Sequence, residues 1–322
     1  MNSAATVQVI GAGAWGTALA LQAVRAGATV RLWARDPAKA AAMAHTRENP
    51  RLPAIALPPA LEIASEWSPA DIVLLAMPMQ ALRALAPSLP AGLLVACCKG
   101  VETATLKLPL EILAELHPAR PACVLTGPNF AAEIARGQPA AAVVAGTDSA
   151  SRASVMAALG TQDFRLYGND DPIGAQVGGA AKNVVAIAAG AVIGAGLGEN
   201  ARAALVTRGL AELSRLAEAL GGRAATVTGL SGLGDLLLTC TGPSSRNFSF
   251  GLALGQGRSV AEILASRAAV TEGVATAPAL VARARTLGVE LPIAEAVAAV
   301  VEGRATLAGA MRTLLARPLR NE

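Results

Sequence analysis

The chain has 322 residues, 53% of them hydrophobic, 16% charged and 2% aromatic, with a formal net charge of +4. That length carries two domains, and that apolar content excludes an intrinsically disordered chain. With so few rings beside its basic residues it offers no stacking surface for nucleic acid, so anionic small molecules are the expected partners.

A mean hydropathy of +0.47 raises the question of a membrane. The longest uncharged apolar run, residues 184–198, is too short to span a bilayer and rich in alanine and glycine, which predicts a core helix and no membrane span. Residues 1–6 show no basic region followed by an apolar one, so no export signal is read and a cytoplasmic protein is expected. Cys97, Cys98, Cys123 and Cys240, with His45 and His117, lack metal-ligand or triad spacing; reduced, buried thiols and no metal centre are expected. Lysine occurs only at 39, 99, 107 and 182, so each one kept is informative.

Taken in order, residues 6–10 predict a strand, and Gly11-Ala-Gly13-Ala14-Trp15-Gly16 follows it directly. Residues 17–26 read as a helix stopped by Gly27, and 29–33 as a second strand. In this strand–turn–helix–strand setting the glycines predict dinucleotide binding. Gly11 allows the tight turn, Gly13 lets a pyrophosphate approach the backbone, and Gly16 permits close helix–strand packing. Arg35 and Asp36 end the second strand. An acid there would hold the ribose hydroxyl of NAD, and an arginine the 2′-phosphate of NADP. Asp36 before Pro37 also suits the N-cap of a helix over 37–44, which releases Arg35 for phosphate and favours NADP over NAD.

Strands at 71–76, 93–96, 122–126 and 140–145 alternate with helices at 80–85 and 106–116. The alternation predicts an α/β, Rossmann-type doubly wound parallel sheet, with ligands beyond the carboxyl ends of its strands. Lys99-Gly100 and the 126–131 segment occupy that edge. Beyond about residue 170, alanine- and leucine-rich helical segments take over, at 177–194, 200–220, 260–265, 276–287, 293–301 and 306–315. Residues 1–170 are therefore expected to be the dinucleotide-binding domain, and 171–322 an all-α C-terminal domain for substrate binding and catalysis. Its apolar helices allow a homodimer.

The chemistry gathers around Lys182 and Asn183, side by side near the start of an almost wholly small and apolar segment, 177–190. A buried ammonium without a partner releases its proton more readily than in water, which suits a proton-transfer catalyst. The plainer alternative is a lysine at a helix end that reaches solvent. Asp235 and Thr239, four apart, would share a helical face and could orient Lys182, although Asp235 alone also suits a helix cap after the glycines. Ser245-Arg246-Asn247 follows a Gly-Pro turn and reads as a phosphate clamp, as the cap of a helix over 248–254, or as both. Lys99 is a substrate contact or a surface charge, and Glu272 faces solvent unless it turns towards the cofactor.

Together Gly11-Ala-Gly-Ala-Trp-Gly-Thr-Ala-Leu, Lys99-Gly, Gly127-Pro-Asn-Phe-Ala-Ala-Glu133, Ala181-Lys-Asn-Val-Val-Ala, Gly234-Asp-Leu and Ser245-Arg-Asn-Phe resemble the bacterial-type glycerol-3-phosphate dehydrogenases, in the family's order and over nearly the whole chain. The resemblance implies reversible NAD(P)H-dependent reduction of dihydroxyacetone phosphate to sn-glycerol 3-phosphate, feeding phospholipid synthesis. It implies Lys182 as the proton donor and acceptor. It implies cofactor contacts at Ala14, Trp15, Arg35, Lys99, Ala131, Arg246, Val270 and Glu272. Substrate contacts are implied at Lys99, Gly127, Asn129, Lys182, Asp235, Ser245, Arg246 and Asn247. Cys98 and Asn129 stand where the family often has serine, or serine or threonine.

Overall fold

The computed structural model describes residues 4–266 and 271–318, so Val270 and residues 1–3 lie outside it. The chain separates into two compact units, one of residues 1–99 with 108–175, the other of 100–107 with 176–322.

In the first unit, β1 (Thr6–Ile10), β2 (Thr29–Trp33), β3 (Leu61–Ala64), β4 (Ile72–Leu75), β5 (Leu93–Ala96), β6 (Ala122–Thr126), β7 (Ala140–Ala145) and β8 (Phe164–Asn169) form one sheet in the order 3-2-1-4-5-6-7-8. From β3 to β6 every pairing is parallel. This is the doubly wound order, with its reversal between β1 and β4, where the strand before the glycine turn sits. Side chains alternate between two apolar layers: Ile72 and Leu74 join one, Val73 and Leu75 the other. Such two-sided burial is what makes these strands read as continuous apolar runs.

One expectation fails at the far side of the sheet, where β7 pairs with β6 antiparallel and β8 then pairs with β7 parallel. The helix joining β6 to β7, Ala131–Ala135, has five residues. It rises only about 7 Å, too little to return the chain along a strand of about 17 Å. The chain turns and runs straight back instead. Arg25, ending the helix Ala14–Arg25, donates to the carbonyls of Ile134 and Ala135 and ties this short helix to the glycine-turn helix.

In the second unit the helices expected at 200–220, 248–254, 260–265, 276–287, 293–301 and 306–315 form as Gly198–Ala219, Arg246–Gly255, Val260–Ala265, Glu272–Thr286, Pro292–Val301 and Leu307–Leu315. Two short helices, Ala224–Val227 and Asp235–Cys240, stand between the first two of them. The long helix Pro172–Gly194 extends through Lys182 well before the uncharged run begins. By length and composition it could cross a membrane, yet 83% of its most apolar window is buried inside the protein, as befits a core helix.

Glycines decide how closely its neighbours approach. A Cβ on Gly190 or Gly194 would collide with the carbonyls of Phe248 and Leu252, and one on Gly251 or Gly255 with those of Ile187 and Ala191. Two glycine pairs, each spaced by four, thus bring the helices Pro172–Gly194 and Arg246–Gly255 into backbone contact. Gly178 meets the Ser231 carbonyl in the same way, at 2.6 Å from where its Cβ would be.

Candidate active site

The three glycines of the first turn have three different reasons. Gly11 has φ +119°, and a Cβ there would lie 2.8 Å from the Ala76 carbonyl oxygen. At Gly16 a Cβ would run into the Gly11 carbonyl. Gly13 has an ordinary φ of −75° and nothing within 4 Å of a Cβ position. Neither the backbone nor the packing of this unit requires glycine at 13, which leaves the space that close approach by a ligand would use. Gly13 is also the N-cap of the helix Ala14–Arg25, whose first N–H groups, those of Ala14, Trp15 and Gly16, lack intrahelical acceptors and suit an anion.

Among the described residues of this unit, three buried side-chain polar atoms have no hydrogen-bond partner: Trp15 Nε1, Thr126 Oγ1 and Asn129 Oδ1. All belong to residues just beyond, or ending, the carboxyl ends of β1 and β6. Unpaired buried polar atoms are rare and call for an occupant. Together with the space at Gly13 they fit a dinucleotide.

At the end of β2, Asp36 does cap the helix Pro37–Thr46, accepting from Ala38 N at 3.0 Å and Lys39 N at 3.4 Å. Its second oxygen lies 3.6 Å from Lys39 Nζ. Arg35 is exposed, with no hydrogen bond among the described residues. Lys99 Nζ donates to the Gly127 carbonyl at 3.3 Å, joining two expected substrate contacts. Asn129 donates to the Ala141 carbonyl at 3.2 Å, and Ala131 opens the short helix beside it.

In the helical unit Lys182 stands mid-helix, not near the start, and is 8% exposed. It does not reach solvent from a helix end: its Nζ forms an ion pair with Asp235 Oδ1. Asp235 is fully buried and is the first residue of its helix, preceded by a π-helical turn over Leu230–Gly234. The capping alternative for Asp235 therefore gives way to the pairing one, because its carboxylate turns to the lysine. Thr239 Oγ1 donates to the Asp235 carbonyl at 2.6 Å and lies 3.5 Å from Oδ1.

The pair brings two buried, opposite charges into direct contact, so each compensates the other's loss of water. The thiol of Cys240 is pushed up to about 12, chiefly by burial, with the Lys182 charge opposing the shift. Cys97 is pushed up by burial as well, and Cys123 reaches about 11 for the same reason. All four cysteines are buried and none is in a disulfide, and Cys97, Cys123 and Cys240 are not poised to ionise.

Asn183 and Asn247 meet each other: Asn247 Nδ2 donates to Asn183 Oδ1 at 2.8 Å, and Asn247 Oδ1 accepts from Gly273 N at 3.0 Å. The Asn247 amide is thus engaged in holding the start of the helix Glu272–Thr286. Ser245 caps the helix Arg246–Gly255, its Oγ accepting from Phe248 N at 3.2 Å, while Arg246 is exposed on the first turn. Glu272 opens its own helix and is half-buried, not turned fully to solvent.

The expected residues gather into three groups. Gly11, Gly13, Ala14, Trp15 and Gly16 form the turn; Lys99, Gly127, Asn129 and Ala131 follow β5 and β6; Lys182, Asn183, Asp235, Thr239, Ser245, Arg246, Asn247 and Glu272 share the helical unit. Asn49 escaped the sequence reading. It is 3% exposed, and its Nδ2 donates to the Ala12 carbonyl at 3.2 Å and Thr17 Oγ1 at 2.7 Å. A polar residue before Pro50 signals only a turn.

Comparison with known proteins gives the family. The family model for the N-terminus of NAD-dependent glycerol-3-phosphate dehydrogenase matches residues 6–152, and that for its C-terminus matches 171–312. The glycerol-3-phosphate dehydrogenase (NAD(P)+) of Gluconobacter oxydans is 52% identical over 99% of both chains. That of Acidiphilium cryptum is 58% identical over 98% of this chain and 97% of its own. The crystal structure of glycerol-3-phosphate dehydrogenase from Coxiella burnetii superposes with a TM-score of 0.92 at 35% identity, covering 98% of this chain and 99% of that one. Sequence and fold converge, and the chain belongs to the NAD(P)-dependent glycerol-3-phosphate dehydrogenase family.

Proposed function

We propose that this chain catalyses the reversible reduction of dihydroxyacetone phosphate to sn-glycerol 3-phosphate in the cytoplasm, supplying glycerophospholipid synthesis. Residues 1–170 bind the dinucleotide, and 171–322 bind substrate and move the proton. The observation that carries the reading is the buried Lys182–Asp235 pair, in a chain of this family.

The reduced nicotinamide, when bound, supplies the hydride. Lys182, paired with Asp235, gives its proton to the oxygen forming at C2, and as the amine takes it back in the oxidative direction. Thr239 steadies the backbone of Asp235, so that the carboxylate holds Nζ in one orientation. The first turn of the helix Arg246–Gly255 offers backbone N–H donors and the exposed Arg246 guanidinium to the substrate phosphate. Binding energy from that remote group positions the carbonyl. In the sheet unit the family resemblance implies Lys99, Gly127 and Asn129 as substrate contacts. Arg35, left over once Asp36 caps its helix, favours NADP over NAD.

Initial rates with NADPH and NADH test the substrate and the cofactor together. Oxidation of NADPH should require dihydroxyacetone phosphate and be faster than that of NADH at equal subsaturating concentrations. An enzyme that is inert to this triose but active on a 3-oxo acid would overturn the reading.

A further inference from the structure

The loop after the helix Pro37–Thr46 reaches back to the glycine turn. Asn49, on this loop, is buried, and all of its amide valences within reach are used. Nδ2 donates to the Ala12 carbonyl at 3.2 Å and to Thr17 Oγ1 at 2.7 Å, and Oδ1 accepts from Arg51 N at 2.9 Å. Its backbone is tied down as well: the Asn49 carbonyl accepts from Leu52 N at 2.8 Å, and Glu48 bridges to Ala56. Thr17, the other partner, is fully buried in the glycine-turn helix.

The consequence lies in the peptide that Asn49 grips. In a trans peptide the C=O and the following N–H point in opposite directions. Holding the Ala12 carbonyl towards Asn49 therefore directs the Gly13 N–H the other way. That N–H makes no backbone hydrogen bond among the described residues, and Gly13 is the glycine whose Cβ position is empty.

We propose that Asn49 is a positioning residue for the dinucleotide: by holding the Ala12–Gly13 peptide it presents the Gly13 N–H to the cofactor's pyrophosphate. It rests on the cofactor lying at the glycine turn. Asn49 touches no reacting atom and acts through the backbone of the turn. Because the amide is held on both sides, by Ala12 and Thr17, the peptide plane is set before the cofactor arrives, which lowers the cost of ordering it on binding.

The test is NADPH titration by fluorescence, with steady-state kinetics, on the full chain carrying Asn49→Ala, Asn49→Asp or Gly13→Ala. Asn49→Ala removes the amide without adding charge; Asn49→Asp keeps the shape and the Oδ1 acceptor but has no donor for Ala12. Both should raise the dissociation constant and KM for NADPH about tenfold or more, the loss expected for one to two hydrogen bonds. KM for dihydroxyacetone phosphate and kcat at saturating NADPH should stay within about twofold. Equal NADPH affinity in Asn49→Ala and the wild type would overturn the proposal, as would a loss confined to Asn49→Asp, which charge repulsion alone explains. A fall in melting temperature with unchanged NADPH affinity would show a purely structural role and overturn it too. Wild-type binding that Gly13→Ala leaves untouched would instead overturn the placement of the cofactor at the turn.

Discussion

Glycine serves opposite ends in the two units. At Gly13 in the sheet unit the missing side chain leaves empty space, with no protein atom within 4 Å of a Cβ position. At Gly251 in the helical unit it lets one helix backbone press against the Ile187 carbonyl of another. The first absence leaves room beside the turn, and the second serves packing. The two places are therefore prepared differently: empty space at a glycine and buried polar atoms left without partners in one, and closely packed helices around an ion pair in the other.

The hardest way to break that contrast is to unpair the buried charges. Asp235→Ala leaves the Lys182 ammonium without its partner and should cost about 3–5 kcal/mol of stability, read as a lower midpoint in urea unfolding. Replacing both residues by apolar ones, Lys182→Met with Asp235→Leu, should recover most of that stability while leaving the enzyme inactive. Gly251→Ala should come next. It forces the helices Pro172–Gly194 and Arg246–Gly255 apart and should cost about 3 kcal/mol, whereas Gly13→Ala should melt within a degree or two of the wild type and lose only cofactor affinity. If both glycine variants destabilise alike, the distinction between space for a ligand and space for a helix fails.

A smaller effect sharpens the account of the helical unit. Glu212 is buried, accepts from Ile293 N at 2.7 Å and Ala294 N at 3.3 Å, and so caps the helix Pro292–Val301 from a distance. Burial raises its pKa to about 7, against the pull of the two backbone donors and the nearby Arg215, with Glu295 adding to the rise. Between the ordinary carboxylate range and pH 7 the folded chain keeps this proton while the unfolded chain has released it. The contribution to stability is complete below that range and fades as pH rises through 7, by roughly 3 kcal/mol at most. Melting temperature should decline over that window, and Glu212→Gln should flatten the decline. An unchanged slope in the variant would remove Glu212 as its source.

The sheet unit was largely legible because its signals are local. Two-sided burial makes β1, β4, β5 and β6 apolar runs, and Gly11, Gly13 and Gly16 follow β1 at fixed spacing. β3 and β8 left no comparable signal, since they lie at the sheet's edges and are partly exposed. The reversal at β7 depends on the length of a five-residue helix, which no hydrophobic period records. In the helical unit the residues of the site were legible one by one, but their pairing was not. Asp235 reads equally as a cap until the contact of Gly178 with the Ser231 carbonyl brings the two segments together. Asn247 reads as a phosphate ligand, and nothing in its motif announces the amide bonds to Asn183 and Gly273. Asn49 carries no motif at all, because its partners are 37 and 32 residues away in sequence.

The proton carrier is the centre of the account, and single-turnover reduction of dihydroxyacetone phosphate by NADPH in Lys182→Met tests it most directly. The variant should bind NADPH as the wild type does, remain folded, and reduce the ketone about a thousandfold more slowly, the loss expected when a general acid is removed. A rate within a few-fold of the wild type would show that the proton comes from elsewhere and that the Lys182–Asp235 pair serves structure alone.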